Sequence, residues 1–319
     1  METTRENQHN DQSFFQHTVA AEVSCVGVSL HGGDMVNMLI RPAPAHTGIV
    51  FVRKDMDGPH TAVAATYDAV TETTLGTTIA NVHGVSVSTI EHVMAALWGA
   101  GIDNARIELD APEVPIMDGS SEPFVFLLEC AGRVQQRATR RVVEVLREVT
   151  VEEGASRATI APNDGFVLEV EIAFKHPLIS TQKARYDFSD TTFKQALSRA
   201  RTFGFAQDVE KMRSMGLALG GSLHNAIVIG EDEILNEGGL RYADEFVRHK
   251  ALDCVGDYFL AGAMIKGLIT THRPGHGINN KLLRALFADP ANYRIVGDDE
   301  ADVPMHVERA EHAQAAMSA

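Results

Sequence analysis

Two short stretches carry the residues with the clearest chemical potential. In DEFVRHKALDCVGDYFLAG, His249, Asp253 and Asp257 follow one another at steps of four, which sets their side chains along one face of a helix. A histidine and a carboxylate one turn apart can reach a single ion, as residues of an HExxH helix do. The same spacing is that of an ordinary surface ion pair, so a third ligand is needed before it means metal. His92 is the leading candidate. It closes STIEH at Ser88 to His92, directly after Glu91, a carboxylate able to act on a metal-activated water. Two neutral nitrogens and one carboxylate with an open fourth position suit catalytic zinc. His276 lies in Arg273-Pro274-Gly275-His276-Gly277 and is expected on a loop before a helix that begins near Asn279 or Asn280. A nearby carboxylate such as Asp257 could orient its imidazole, raise its pKa and make it a proton donor.

These residues need elements to hold them. Ser88-Thr89-Ile90-Glu91 matches a capping box, and Gly99 and Gly101 supply stop signals, so a helix is expected between them. Ile90, Val93, Met94 and Leu97 project as its core stripe, with His92 nearly opposite, beside Ala95 and Ala96. The second helix is expected over about Tyr242 to Ala261, with Val247, Ala251, Leu252, Val255, Tyr258 and Phe259 opposite the polar stripe. Both helices turn their reactive groups away from their own cores, and two domains facing each other would bring those surfaces together. Local sequence leaves plainer readings open. Glu91 could be the N3 partner of the Ser88 cap, His92 an exposed histidine, Asp257 a surface ion-pair partner and Lys250 a solvated helix residue.

The whole chain bounds the alternatives. Its 319 residues and 34.6 kDa argue for about two domains, and 45% hydrophobic with 22% charged residues is the composition of a globular protein. Forty-three acidic against 28 basic residues give a formal charge of -15, which disfavours nucleic acid as a partner. The three cysteines, Cys25, Cys130 and Cys254, show no CxxC spacing and fit a reducing compartment. No apolar run is long enough to span a membrane, and the start lacks the pattern of a signal peptide, so a cytoplasmic location is expected. Alternating runs at Val36 to Arg41, Ala105 to Leu109 and Val167 to Ala173 read as strands with one buried face. With helices between them they predict an α+β fold on largely antiparallel sheets. The polar stretch within Arg133 to Thr150 is the candidate boundary, and both ends are expected to fray.

Taken in order, GVSLHGG at Gly27 to Gly33, STIEH, DAPEVPIMDGS at Asp110 to Ser120, RTFGF at Arg201 to Phe205, LNEGGLRYADEFVRHKALDCVGD at Leu235 to Asp257 and GHGINNKLL at Gly275 to Leu283 resemble the UDP-3-O-acyl-N-acetylglucosamine deacetylases. The resemblance covers about Thr18 to Asp289. It implies two similar β-α-α-β domains stacked with their helices between the sheets and an active site at their junction. The corresponding division is a disordered extension over 1–14, domain I over 15–138, domain II with an acyl-binding insert over 139–290 and a flexible acidic tail over 291–319.

The same resemblance implies roles. His92, His249 and Asp253 would bind zinc, or ferrous iron in the cell. Glu91 would be the general base and His276 the charged electrophile and general acid, oriented by Asp257. Thr202 would stabilise the oxyanion and Lys250 would face phosphate. Leu30, Phe174, Phe203, Val209, Ala218, Gly221 and Val228 would contact the substrate, with the segment from Phe203 to Ile229 building a passage for the acyl chain. The reaction implied is removal of the N-acetyl group from UDP-3-O-acyl-N-acetylglucosamine in lipid A synthesis, by a monomer with no membrane span and at most peripheral access to its lipid-like substrate. A noncatalytic lipid-nucleotide binding protein with a structural metal is the competing reading. The presence of Glu91 and His276 beside the ligands favours the enzyme.

Overall fold

The computed structural model describes residues 14–297, so most of the two ends expected to fray, within 1–14 and 291–319, lies outside the described residues. The fold is α+β with antiparallel pairing dominant. A five-stranded sheet runs in the order Val23–Val28, Met35–Pro42, Ala105–Leu109, Ile49–Arg53, Ala62–Ala64. Its neighbours are antiparallel except for the parallel pair of Ile49–Arg53 with Ala105–Leu109. Along Met35–Pro42 burial alternates, with Val36, Met38 and Ile40 inward, as expected of a strand with one face on the core.

A seven-stranded sheet forms the other half. Val149–Glu153, Ser156–Ala161, Met264–His272, Val142–Val145 and Tyr293–Val296 follow in that order, and Phe166–Ala173 joins Met264–His272 to Thr181–Asp187. Between the two sheets the chain passes from Arg133–Thr139, paired with Phe15–Val19, into Val142–Val145. Residues 290–296, which straddle the expected boundary at 291, carry regular structure. Pro290–Asn292 is a 3-10 turn and Tyr293–Val296 is a strand paired with Val142–Val145, because Tyr293 packs edge-on against Phe287 and Arg294 pairs with Glu144.

Six helices complete the described residues: α1 Glu91–Ala100, α2 Glu122–Ala131, α3 Phe193–Ala196, α4 Ala206–Ser214, α5 Glu245–Phe259 and α6 His276–Phe287. The expected capping box does not form. Ser88 Oγ donates to the Pro112 carbonyl, Ile90 is the N-cap residue and makes no side-chain cap bond, and the Glu91 carboxylate is used elsewhere. Gly101 does end α1, in the left-handed conformation at φ 67°. Gly99 is instead a packing residue inside the helix, pressed on the Phe193 ring. The fifth helix is shorter at both ends than expected, and α6 begins at His276 itself, three residues earlier than expected.

The sheets and helices share one continuous apolar core. Within it, α1 crosses α5 so closely that a Cβ built on Gly256 would lie 2.0 Å from the Glu91 carbonyl oxygen. That approach sets the backbone carrying Glu91 and His92 against the helix carrying His249, Asp253 and Asp257. Gly256→Ala gains up to ~1 kcal/mol of helix propensity, yet it forces two backbones apart, and overpacking of this kind costs about 1–3 kcal/mol. We expect the clash to win and the thermal midpoint to fall. A midpoint at or above wild type would show that the crossing tolerates a methyl group.

Candidate metal and acid-base site

At the crossing, His92 comes from the first turn of α1 and His249 and Asp253 from successive turns of α5. Their ligand-capable atoms all lie within 4.8 Å of one another. Each residue is at most 4% exposed. Neither histidine is exposed, because the face of α1 that turns away from its own sheet is covered by α5. The His92 carbonyl is held by Ser121 Oγ at 2.8 Å, which ties the first turn of α1 to the start of α2.

The hydrogen bonds test whether these side chains suit a cation. His249 Nδ1 lies 3.1 Å from the Ala200 carbonyl, which can only accept, so that nitrogen carries the proton and Nε2 presents its lone pair. Nε2 points at Asp253 Oδ1, 3.3 Å away, and His92 Nε2 approaches the same oxygen at 3.5 Å. Asp253 Oδ1 and His92 Nδ1 are buried without hydrogen-bond partners. Lone pairs converging on a buried, unpartnered carboxylate oxygen are costly unless a cation lies among them. Burial, with the nearby Lys250 and His92, pushes the His249 pKa down to about 3, so the ring is neutral, as a ligand must be. The donor set fits a divalent metal.

The acid-base residues surround this cluster. Glu91 Oε2 accepts the Thr77 backbone N–H at 3.0 Å, which leaves Oε1 facing His276 Nε2 at 3.8 Å. His276 stands at the start of α6, and its Nδ1 donates to Asp257 Oδ2 at 2.9 Å. Asp257 is buried rather than paired at the surface. It also accepts from Thr77 Oγ1 at 2.6 Å and from Asn279 Nδ2 at 2.8 Å. Burial alone would lower the His276 pKa, but the charges of Asp257 and Glu91 and the Asp257 hydrogen bond push it up to about 9. Lys250 is not a solvated residue either. Its Nζ donates to Asp253 Oδ2 at 2.8 Å. Burial works against the ammonium, while Asp253 holds its pKa above the usual lysine value. For Asp253 burial works the other way, yet His249 and Lys250 hold its carboxyl well below the usual range.

A cavity of about 870 Å³ opens onto these groups. Glu91, His92, Thr202, His249, Lys250, Asp253 and His276 line it, and Asp257 stands behind His276. The residues expected to contact substrate, Leu30, Phe174, Phe203, Val209, Ala218, Gly221 and Val228, line the same cavity. Gly220, within the segment expected to build the acyl passage, lets two loops pack, since a Cβ there would lie 2.1 Å from the Ser29 carbonyl oxygen. Sequence reasoning missed the roles of Thr77, Asn279 and Gly256. A glycine between two carboxylates in mid-helix was a signal for close approach, whereas Thr77, in the run Thr73 to Thr78, offered none.

The family model for UDP-3-O-acyl N-acetylglycosamine deacetylase matches residues 16–288. The chain belongs to this family. Among its relatives, the UDP-3-O-acyl-N-acetylglucosamine deacetylase of Shewanella sp. (strain ANA-3) is 50% identical over 294 residues, covering 91% of this chain and 96% of its own. The protein of the same name from Shewanella oneidensis is 49% identical with the same coverage. The deacetylase chain has, among its described residues, no helix long and apolar enough to cross a membrane.

The histidine electrostatics of this deacetylase can be tested without metal. A pKa raised from 6.5 to about 9 means that folding favours protonated His276, so its contribution to stability is full below about 6.5 and is lost as pH rises through about 9. In the metal-free chain, NMR of the His276 ring should show titration near that upper value, and Asp257→Asn should move it to lower pH by removing the adjacent charge. An unmoved titration in the variant would separate Asp257 from the protonation of His276.

Proposed function

We propose that this deacetylase removes the N-acetyl group of UDP-3-O-acyl-N-acetylglucosamine, the lipid A biosynthesis step, by metal-assisted amide hydrolysis in the cavity between α1 and α5. The observation that carries this reading is the placement of Glu91 and His276 together in one cavity with the three candidate ligands, Glu91 Oε1 lying 3.8 Å from His276 Nε2. A noncatalytic lipid-binding protein with a structural metal has no use for that pairing.

His92 and His249 would hold the ion through nitrogen and Asp253 through oxygen, a donor set suited to zinc and open to ferrous iron. When bound, such an ion supplies Lewis-acid polarisation of the acetyl carbonyl and acidifies the attacking water. Glu91, held by the Thr77 N–H, takes the proton of that water. Protonated His276 faces the developing oxyanion and then donates its Nε2 proton to the leaving nitrogen, while Asp257 keeps the ring oriented and charged. Thr202 reaches the cavity wall as a further donor to the oxyanion. Lys250 offers its ammonium to the phosphate side of the substrate, sharing it with Asp253. The site is complete within one chain, which supports a monomer built from domains over 15–138 and 139–290. The net charge of -15 and three free cysteines support a cytoplasmic protein that does not bind nucleic acid.

The test is deacetylation of this substrate by purified protein before chelation, after it and after metal is restored. Activity should vanish and return with the metal. Glu91→Ala should lower turnover by at least ~100-fold with metal still bound, since general bases commonly contribute ~10²–10⁴. A stability loss with wild-type turnover per folded molecule would reduce Glu91 to a structural residue.

The acyl chain is proposed to lie along Leu30, Ala218, Gly221 and Val228. A Cβ on Gly221 would sit 3.7 Å from both Ala218 Cβ and Leu30 Cδ1, so a larger side chain there narrows this part of the cavity. Each buried methylene is worth ~0.8 kcal/mol. Gly221→Leu should therefore penalise long-chain substrates well beyond short ones when kcat/KM is compared. Equal losses on both would place the chain elsewhere.

A further inference from the structure

Another buried carboxylate stands between the acid-base residues and the apolar wall. Glu113 is 4% exposed. Its Oε1 accepts the His31 backbone N–H and Thr89 Oγ1, each at 2.9 Å, and its Oε2 accepts the Gly32 N–H at 2.9 Å. All three donors are neutral, and they come from two separate segments of chain.

The first segment is the turn into α1. Thr89 has φ 57°, a left-handed backbone that a β-branched residue rarely adopts and that persists where surrounding bonds impose it. Thr89 precedes Glu91 and His92 by two and three residues, so the angle of this turn sets where both side chains point. The second segment is the loop at Leu30 to Gly32. Its Leu30 and His31 carbonyls accept the N–H groups of Gly220 and Leu219 at 3.0 and 3.2 Å, and His31 Nδ1 accepts the Ala218 N–H at 3.3 Å. Ala218 is again left-handed, at φ 53°. The apolar wall at Ala218 thus hangs from the loop that Glu113 holds.

We propose that Glu113 is a positioning residue that couples the shape of the apolar passage to the aim of Glu91 and His92. The carboxylate suits this place because both oxygens accept. A methionine of similar length offers no carboxylate oxygen to these donors, so Glu113→Met must leave the His31 and Gly32 N–H groups and the Thr89 hydroxyl without their partner and release both segments. The inference rests on Glu91 and His92 being reacting groups, as proposed above.

The test compares wild type, Glu113→Met and Thr89→Val, all full-length and metal-loaded, on UDP-3-O-acyl-N-acetylglucosamine substrates of long and short acyl chain. Metal content and thermal midpoint are measured alongside. Misplacement of reacting groups by about 1 Å can cost ~100-fold. Glu113→Met should lower kcat by about 10- to 100-fold and also change the long-to-short ratio of kcat/KM. Thr89→Val keeps the shape and β-branching of threonine and removes the hydroxyl, so it should lower kcat and leave that ratio unchanged. A lowered midpoint in Glu113→Met with wild-type kcat per metal-loaded molecule would overturn the proposal, and so would a kcat loss with an unchanged ratio. Where Glu113→Met does not fold, Thr89→Val decides: a lower kcat with full metal content supports the role, and wild-type kcat overturns it. Failure of the underlying reading has its own signature, an active Glu91→Ala enzyme, which no Glu113 result imitates.

Discussion

The backbone contact between α1 and α5 governs everything at the site. Glycine at 256 lets α5 approach the carbonyl of Glu91, and that approach is what allows ligands from two remote stretches of chain to converge. A side chain at this point would separate His92 from His249 and Asp253, and Glu91 from the α5 residues opposite it. The sheets behind the helices supply the apolar backing for this crossing, since Val93, Met94 and Leu97 of α1 and Val247, Ala251 and Leu252 of α5 are fully buried in the same core. The reactive face of each helix is left to the other.

Bringing so many ionisable groups out of water has a cost that the arrangement turns to use. Two histidines that line the same cavity are driven in opposite directions. His249 is held neutral, down to about 3, chiefly by burial. His276 is equally enclosed, yet the carboxylates of Asp257 and Glu91 outweigh burial and raise it to about 9. A neutral ring suits the ligand role proposed for His249 and a protonated one the acid role proposed for His276, a separation set by which carboxylates each ring faces. Every carboxylate in the group has a defined partner on at least one oxygen: Thr77 for Glu91, Lys250 for Asp253, and Thr77, Asn279 and His276 for Asp257. Thr77 serves two of them at once, through its N–H and its hydroxyl, and so fixes the spacing between base and acid.

Much of this was legible in the sequence because it repeats at helical period. His249, Asp253 and Asp257 recur every four residues, and Ile90, Val93, Met94 and Leu97 mark the opposite face of α1, so periodicity alone indicated which groups share a surface. The strand at Ala105–Leu109 coincides with its expected bounds for the same reason. Local signals failed where a distant group competed. Ser88 and Glu91 have the spacing of a capping box, but Pro112 and Thr77 take their side chains. Asn279 looked like the start of a helix, although His276 already begins α6 and Asn279 is drawn inward to Asp257 and Tyr258. Glu113 carried no spacing signal, since its partners are the Thr89 hydroxyl in the turn before α1 and loop N–H groups about 80 residues earlier in the chain.

The central claim is that the α1–α5 crossing builds a single divalent metal site from His92, His249 and Asp253. Metal content per chain, measured on wild type and on a His92→Ala/His249→Ala double variant, tests it most directly. Such a site predicts one ion per wild-type chain and close to none in the folded variant. One ion per chain persisting in the variant would contradict it.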